Sequence, residues 1–252
     1  MLRIEGKNIV VTGGASGIGL EITKALCEFN TVYAVDRDNQ RLQDLKSKHD
    51  NVVTICADLL DWDESKRVLD DSLPELIHGL VNNAGVGSQA SFLQLTPDAF
   101  DTVIGVNTRG ILNVSQIVAK RLIAYNSKSD DKVICSIVNI SSLASRFPTR
   151  ISTAYNLSKA AVDMITKSMA LEWGPHNIRV NSINPNIVMT ELAEAWIAAS
   201  GSQLKDKLLA RTPLNKLLQI HDVVNAVLFL LWDRVTMVHG ESLFIDGGYS
   251  VS

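Results

Sequence analysis

Tyr155 and Lys159 stand four positions apart in the run Thr153-Ala154-Tyr155-Asn156-Leu157-Ser158-Lys159-Ala160-Ala161. No Gly or Pro interrupts the chain from there to Gly174, and helical spacing sets such a pair on one face, about one turn apart. An ammonium beside a phenol favours the phenolate. Bringing a tyrosine from its usual pKa of ~10 to neutrality takes roughly three units, or about 4 kcal/mol of differential stabilisation. A fixed cation in a dry cleft can supply that, and the phenol then exchanges a proton at neutral pH. A lone Tyr-x-x-x-Lys is common on ordinary helix surfaces, so the elements around it must give it meaning.

Those elements read as alternating strands and helices. Asn8-Ile9-Val10-Val11 is a short apolar run that stops at glycines, the pattern of a buried parallel strand. Thr12-Gly13-Gly14-Ala15-Ser16-Gly17-Ile18-Gly19 follows, and then a helical pattern through Leu20, Ile22, Ala25, Leu26 and Phe29. Strand, glycine turn and helix make a phosphate cradle: Gly13, Ser16, Gly17, Ile18 and Gly19 let the backbone approach a pyrophosphate, and the unpaired N–H groups at the helix start attract its charge. The second strand, Thr31 to Val35, ends on Asp36, where a carboxylate accepts hydrogen bonds from an adenosine ribose. A ribose 2′-phosphate would meet Asp36 with like charge, and Ser16 offers no cation to offset it. NAD(H) is therefore favoured over NADP(H), with Arg37 the one nearby side chain able to turn toward a phosphate.

A third strand, Asn51 to Cys56, closes on Ala57-Asp58-Leu59, and Asp58 either takes an adenine amino group or caps the following helix. Leu76 to Val81 reads as a fourth strand, followed by Asn82-Asn83-Ala84-Gly85, a loop that lets a flat ring system pass. From Pro97 a helix of roughly 30 residues carries Val103, Val106, Ile111, Val114, Ile117, Val118 and Leu122 on one face. Asn107 breaks that stripe: it marks a kink near Gly105 and Gly110 or belongs to a polar site. Val133 to Ile140 is a fifth strand ending in Ser141-Ser142, at the edge where open parallel sheets bind ligands. Apolar residues on the Tyr155 helix, Ala160, Ala161, Met164, Ile165 and Met169, are expected mostly to pack on the sheet. A sixth strand runs from Asn177 to Asn184. The amphipathic stretch Glu191 to Leu209, carrying Trp196, makes a candidate substrate lid at about 188–213. A last helix, Val223 to Trp232, and a last strand, Ser242 to Ile245, complete the chain.

The bulk composition narrows the class. At 252 residues, one α/β domain over 1–252 has ample core. With 46% hydrophobic residues, 20% charged residues and a net charge of -3, there is no basic surplus for nucleic acid or an anionic membrane. No stretch reaches the ~20 apolar residues of a membrane span. Cys27, Cys56 and Cys135 are far apart among apolar neighbours and are expected to be core thiols. His49, His78, His176, His221 and His239 show no metal-ligand spacing with one another or with a nearby Cys, so no metal site is expected. A cytoplasmic protein acting on a small molecule is the expectation.

Together, Thr12-Gly13-x-x-x-Gly17-x-Gly19, Asn82-Asn83-Ala84-Gly85, Asn107, Ser142 and Tyr155-x-x-x-Lys159 resemble the motif set of the short-chain dehydrogenase/reductase superfamily, in the same order over essentially the whole chain. The resemblance implies one Rossmann domain with a seven-stranded parallel sheet, order 3-2-1-4-5-6-7, helices on both faces, and assembly as a homotetramer or dimer. It implies that Tyr155 is the acid in carbonyl reduction and the base in alcohol oxidation. Ser142 would hold the substrate oxygen, with Ser141 in poorer register. Lys159 would bind the nicotinamide ribose and lower the Tyr155 pKa. Asn107 would hold a water linked to Lys159. Asn82, Ala84 and Gly85 would support the cofactor, Ile187 and Thr190 would meet its nicotinamide end, and Leu143 and Trp196 would face the substrate.

Within the superfamily, Asn113 to Ala119, Ala161 to Lys167, Gly174-Pro175-His176, Val188-Met189-Thr190 and Val223 to Leu231 resemble dicarbonyl and L-xylulose reductases. Those enzymes use NADPH through basic residues where this chain has Ser16 and Asp36, and the loop residues Leu143, Thr149 and Ser152 also differ. The expectation is an NAD(H)-dependent oxidoreductase of a small polyol, sugar or dicarbonyl. An NADP(H)-dependent reductase of the xylulose type, a hydroxysteroid or 3-oxoacyl reductase, and a non-catalytic NAD-binding scaffold are the alternatives.

Overall fold

A computed structural model describes residues 3–87, 89–191, 193, 194, 197 and 204–252. Its centre is a seven-stranded sheet: β1 (Asn8–Thr12), β2 (Thr31–Asp36), β3 (Val52–Cys56), β4 (Gly79–Asn82), β5 (Cys135–Ile140), β6 (Ile178–Pro185) and β7 (Ser242–Ile245). Every pairing is parallel and the order is β3-β2-β1-β4-β5-β6-β7. Parallel strands need helical crossovers, which cover both faces and explain the continuous apolar runs in the strands.

Strand alternation divides the core in two. On one face Val10, Leu80, Ile137 and Val180 meet Leu69 of α3 (Trp62–Ser72), Val114 and Val118 of α5 (Gly110–Lys128), and Val162 and Met169 of α6 (Thr153–Trp173). On the other, Ile9, Val11, Val81, Val138 and Ile183 meet Ile22 and Leu26 of α1 (Gly17–Cys27), Leu42 of α2 (Asn39–Lys46), and Val223, Val227 and Leu230 of a C-terminal helix, Ile220–Leu231. Each fully buried aliphatic side chain contributes roughly 1.5–3 kcal/mol, so the apolar stripes alone hold the three layers together.

Helix starts are set locally. Asp38 accepts from Arg41 N, Asp61 from Glu64 N, and Thr96, just before Pro97, from Ala99 N. The helix expected from Pro97 is interrupted: α4 (Pro97–Ile104) passes through a π-turn, Gly105–Arg109, into α5. Such a bulge is common at functional sites, and Asn107 lies in it. After β6 come α7 (Leu204–Ala210) and α8 (Ile220–Leu231). Part of the expected lid, namely Leu192, Ala195, Trp196 and residues 198–203, lies outside the described residues. Among the described residues no helix is long and apolar enough to cross a membrane.

Two expectations about the core need correction. Cys27 and Cys135 are buried, but Cys56 is exposed, because it is the last residue of the edge strand β3, beyond the covering of Val52 on the same face. Met164 is 62% exposed and Ala160 is also exposed, since only one face of α6 meets the sheet; Met169 is buried and Ile165 packs at the core's margin. His49 Nδ1 lies 3.6 Å from Cys27 Sγ, a neighbour hidden by the distance between them in sequence.

The tightest backbone approach is at the start of α1. A Cβ on Gly19 would lie 2.0 Å from Gly13 O and 2.4 Å from Asn83 Nδ2. Neither can retreat, because Asn83 is itself bonded to Thr12 O and Gly13 O. Gly19→Ala is expected to cost about 3 kcal/mol of stability, measured by denaturant unfolding, whereas Gly6→Ala at the open N-terminal turn should cost much less.

Candidate active site

The carboxyl ends of β1, β4, β5 and β6 open onto one crevice, where the strand order reverses on either side of β1. The turn after β1 forms its floor. Thr12 Oγ1 accepts from Asn83 N at 3.0 Å and Ala84 N at 3.1 Å, while Asn83 Nδ2 donates to Thr12 O and Gly13 O at 3.0 and 3.2 Å. This joint locks the glycine turn to the loop after β4. Gly17, at φ +52, is exposed, and a Cβ there would meet only the Thr190 side chain, at 3.8 Å. Ser16 makes no side-chain cap on α1, so the first N–H groups of that helix keep their donors for a ligand. The open turn and the uncapped helix start fit the diphosphate of a dinucleotide.

At the adenosine end of such a ligand, Asp36 Oδ2 accepts from Ala15 N and Oδ1 from Asp38 N, both at 3.1 Å. The carboxylate is thus fixed against the glycine turn. Arg37 is exposed; Arg41 pairs with Asp38 at 3.3 Å and with Glu191, after Thr190, at 3.2 Å. Asp58 is exposed and accepts from Leu60 N at 3.0 Å, a turn contact rather than the helix cap, which Asp61 provides. Leu59 is buried under it.

Tyr155 and Lys159 share one face of α6, with the Lys159 Nζ 5.6 Å from the Tyr155 ring centroid. Lys159 is 3% exposed and its ammonium donates to Ile140 O at 2.7 Å. Burial pushes its pKa from 10.5 down to about 8, with the Asp163 carboxylate pulling the other way. Burial also raises the Tyr155 phenol above its usual range, and a hydrogen bond with Ser142 pulls it back. Desolvation of the phenolate is the largest influence on Tyr155, so its pKa stands above its usual value rather than below it, contrary to the lowering expected from Lys159.

The two serines separate cleanly. Ser141 is buried and donates to Lys159 O at 3.1 Å, whereas Ser142 reaches Tyr155 and accepts from Ala144 N at 3.1 Å. Leu143 is buried beside it, and Thr149 is bonded to Asn156. Asn107, fully buried in the π-turn, accepts from Val86 N at 2.8 Å and donates to Val86 O and Ser158 Oγ, both at 3.0 Å. It joins the loop after β4 to α6. Of the two roles open to it in sequence, the structure shows both a helix irregularity and a polar site.

Asn82 corrects an expectation. Its side chain turns away from the crevice, 1% exposed, donating to Ser115 Oγ and Asn139 Oδ1 at 2.9 and 2.8 Å. As the last residue of a central strand it points into a helix-covered face, so only the following Ala84 and Gly85 backbone borders the crevice. Ile187 lines a cavity of about 130 Å³ with Asn186, Leu208, Thr212, Leu218 and Ile245. Two polar residues escape a reading of the sequence: Asp163, one further turn along from Lys159, and Asn184, near the end of β6. Asn184 Nδ2 reaches Asp163 Oδ2 at 2.9 Å, Ser145 Oγ at 2.9 Å and Ser142 O at 3.3 Å. The i, i+4, i+8 spacing of 155, 159 and 163 is the signal that could have found the first. Among the described residues no cluster of three or more His, Cys, Asp or Glu could hold a metal.

A dinucleotide crevice beside a buried Tyr-Lys pair defines an oxidoreductase of the Rossmann class. The family profile described as an enoyl-(acyl carrier protein) reductase matches residues 13–250. The chain is 40% identical over 250 residues to the L-xylulose reductase of Homo sapiens, covering 98% of each, and 40% identical over 252 residues to carbonyl reductase (NADPH) 2 of Sus scrofa, covering 100% of this chain and 99% of that one. A crystal structure of 3-ketoacyl-(acyl-carrier-protein) reductase from Brucella melitensis complexed with NADH superposes with TM-score 0.89 at 28% identity, covering 98% of this chain and 100% of that one. The chain belongs to the short-chain dehydrogenase/reductase family and is an oxidoreductase acting on CH–OH and carbonyl groups.

The Lys159 shift carries a stability signature. Its folded pKa lies below the unfolded value, so between about 8 and 10.5 the unfolded chain binds more protons and stability rises with pH. In the protein without ligand, this group's contribution is expected to rise by about 3 kcal/mol across that window. Lys159→Met should flatten it, as read by unfolding free energies at stepped pH.

Proposed function

We propose that the protein interconverts a secondary alcohol and a ketone with NAD(H), on a small polyol, sugar or dicarbonyl. The observation that carries this reading is the Tyr155 phenol, hydrogen-bonded with Ser142 and backed by the buried Lys159 ammonium at the mouth of the dinucleotide crevice. When bound, the nicotinamide supplies the hydride donor or acceptor at its ring. Gly13, Ser16, Gly17, Ile18 and Gly19 take the diphosphate, Asp36 the adenosine ribose, and Arg37, Asp58 and Leu59 border the adenine. Ala84, Gly85, Ile187 and Thr190 bound the nicotinamide half. Asn82 supports that wall through its strand rather than by its side chain.

In ketone reduction, Tyr155 gives its phenolic proton to the substrate oxygen while Ser142 holds that oxygen by a hydrogen bond. A phenol whose pKa is raised by burial is protonated at neutral pH, which is the form reduction requires. Lys159 binds the nicotinamide ribose and offsets negative charge left on Tyr155, and Asn107 keeps the loop after β4 against α6 so that the proton path to Lys159 stays ordered. Leu143 borders the substrate, and a contact from Trp196, in the expected lid over 188–213 of the single domain, is part of the same proposal.

NAD(H) over NADP(H) is supported by the anchored Asp36, whose carboxylate would repel a 2′-phosphate. The Sus scrofa relative is named for NADPH and the Brucella melitensis structure holds NADH, so likeness alone does not decide it. Free thiols suit a cytoplasmic setting. Assembly of several copies is supported by Leu157, Met164 and Leu171, which leave α6 with an apolar face 50%, 62% and 83% exposed.

Titration with NADH and NADPH, followed by nicotinamide fluorescence, tests the cofactor, and Tyr155→Phe tests the chemistry. NADH is expected to bind at least about tenfold more tightly, with Asp36→Ser narrowing the gap. Tyr155→Phe should keep cofactor binding while turnover of small ketoses falls by about 10³-fold or more, the proton-transfer contribution. A mutant that keeps its turnover would overturn the catalytic reading. Sedimentation equilibrium should give a dimer or tetramer, shifted toward monomer by Met164→Glu.

A further inference from the structure

Tyr155, Lys159 and Asp163 form a line along one face of α6, but only the first two are explained by the proposed chemistry. Asp163 is partly buried and its carboxylate is held from β6: Asn184 Nδ2 reaches Asp163 Oδ1 at 3.0 Å and Oδ2 at 2.9 Å, and Ser182 Oγ donates to Oδ1 at 3.3 Å. The same Asn184 amide reaches Ser142 O and Ser145 Oγ. A single fully buried side chain therefore ties the α6 carboxylate to the short loop that presents Ser142.

We propose that Asp163 is a positioning residue, set by Asn184, that keeps the Lys159 ammonium charged and registers the Ser142 loop against the Tyr155 helix. It makes no direct ion pair with Lys159; it acts through space, one turn away, from a place where solvent screens weakly. The Lys159 ammonium has Ile140 O as its protein acceptor, and a buried cation with a neutral partner loses its proton easily. Asp163 supplies the opposing negative charge.

Among the described residues no other charged group does this. On α6 itself, Lys167 and Glu172 are exposed further along. On elements packed against α6, Arg179 of β6 turns to Leu230 O and Trp232 O, with Cys135 of β5 beside it at the amino end of the sheet. Asp98 and Asp101 of α4, Arg109 of the π-turn and His176 after α6 are exposed, and Arg146 is exposed after the Ser142 loop. On α5, Lys120 and Lys128 are exposed, Arg121 turns to Pro74 O and Asp70 O, and Tyr125 lies in the same C-terminal half. With Tyr155 as the titratable group facing Lys159 from the other side, Asp163 is the one carboxylate among these described neighbours that is not exposed.

This inference rests on the proposed roles of Tyr155 and Lys159, and its first test needs neither cofactor nor turnover. The Lys159 side chain is titrated by NMR in isotopically labelled protein, with Lys159→Met identifying its resonance. Wild type is expected to titrate near the value of about 8, and Asp163→Asn lower by about one unit, the usual effect of losing a nearby opposite charge. Asp163→Glu should restore most of the shift. The alkaline limb of the kcat/KM profile should move down with the Lys159 midpoint. Should Asp163→Asn fail to fold, Asp163→Ser is measured in its place. A variant that loses thermal stability while Lys159 titrates as in wild type would overturn the proposal and leave Asp163 a strut between α6 and β6. An active Tyr155→Phe, by contrast, would sink the catalytic reading while leaving the Lys159 titration to decide the electrostatic one.

Discussion

A lysine side chain brought to 3% exposure carries a high desolvation cost, and the carboxyl edge of the sheet is arranged around it. Desolvating a cation disfavours its charged form, so each group near Lys159 either accepts from it, fixes its helix or opposes its charge. Ile140 lends its carbonyl at the end of β5, Ser141 bonds the lysine's own backbone, and Asp163 holds negative charge one turn on. A site organised to tolerate a buried cation also sets that cation beside the Tyr155 phenol, where it opposes the cost of desolvating a phenolate. Structural cost and chemical use thus fall on the same atoms, the usual exchange of stability for function at enzyme sites.

Two hydrogen-bonded joints flank that lysine and divide the labour. On the dinucleotide side, Thr12 and Asn83 bind the turn after β1 to the loop after β4. On the substrate side, Asn184 binds β6, α6 and the loop after β5. Asn107 bridges them, tied to Val86 on one side and to Ser158 of α6 on the other. Asn184 and Asn107 are buried amides whose hydrogen bonds reach more than one element, and the half-buried Asn83 fastens the glycine turn, so shifting these elements would leave polar groups unsatisfied. The crevice is rigid because its polar groups are counted out.

What is legible in the residues alone follows from short-range rules. Parallel-strand runs, glycine turns and helical stripes depend on near neighbours in the chain, and all seven strands and their order emerge from them together with the family resemblance. The Tyr155–Lys159 face is legible because i and i+4 are neighbours on any helix. The break at Asn107 is visible as a polar residue in an apolar stripe, though its resolution into a π-turn is not, since a stripe records periodicity and not hydrogen-bond pattern. Errors arise where direction across the sheet matters. Asn82 and Asn83 are adjacent amides, yet strand alternation turns the first into the core and the second toward the glycine turn. Cys56 reads as core from its apolar neighbours, but it is the last residue of β3, a strand at the edge of the sheet. Asn184 is invisible as a hub because its partners come from three elements brought together only by folding.

Asp36 shows how cofactor choice can change while a scaffold stays the same. Its carboxylate accepts from Ala15 N in the glycine turn and from Asp38 N at the start of α2, so it braces the turn, and on the proposed reading the same group meets the ribose. A basic residue at that position would donate rather than accept and would leave both N–H groups without their partner. Selecting a 2′-phosphate therefore requires new acceptors for the turn, not one substitution. Likewise Arg41, the next cation along, is engaged by Asp38 and Glu191, so borrowing it for a phosphate means releasing the chain after Thr190. On the proposed reading, the preference for NAD(H) is built into the hydrogen bonding of the crevice's floor. On the same reading, a chain 40% identical to a relative named for NADPH keeps the whole fold while its crevice floor is set for the other dinucleotide.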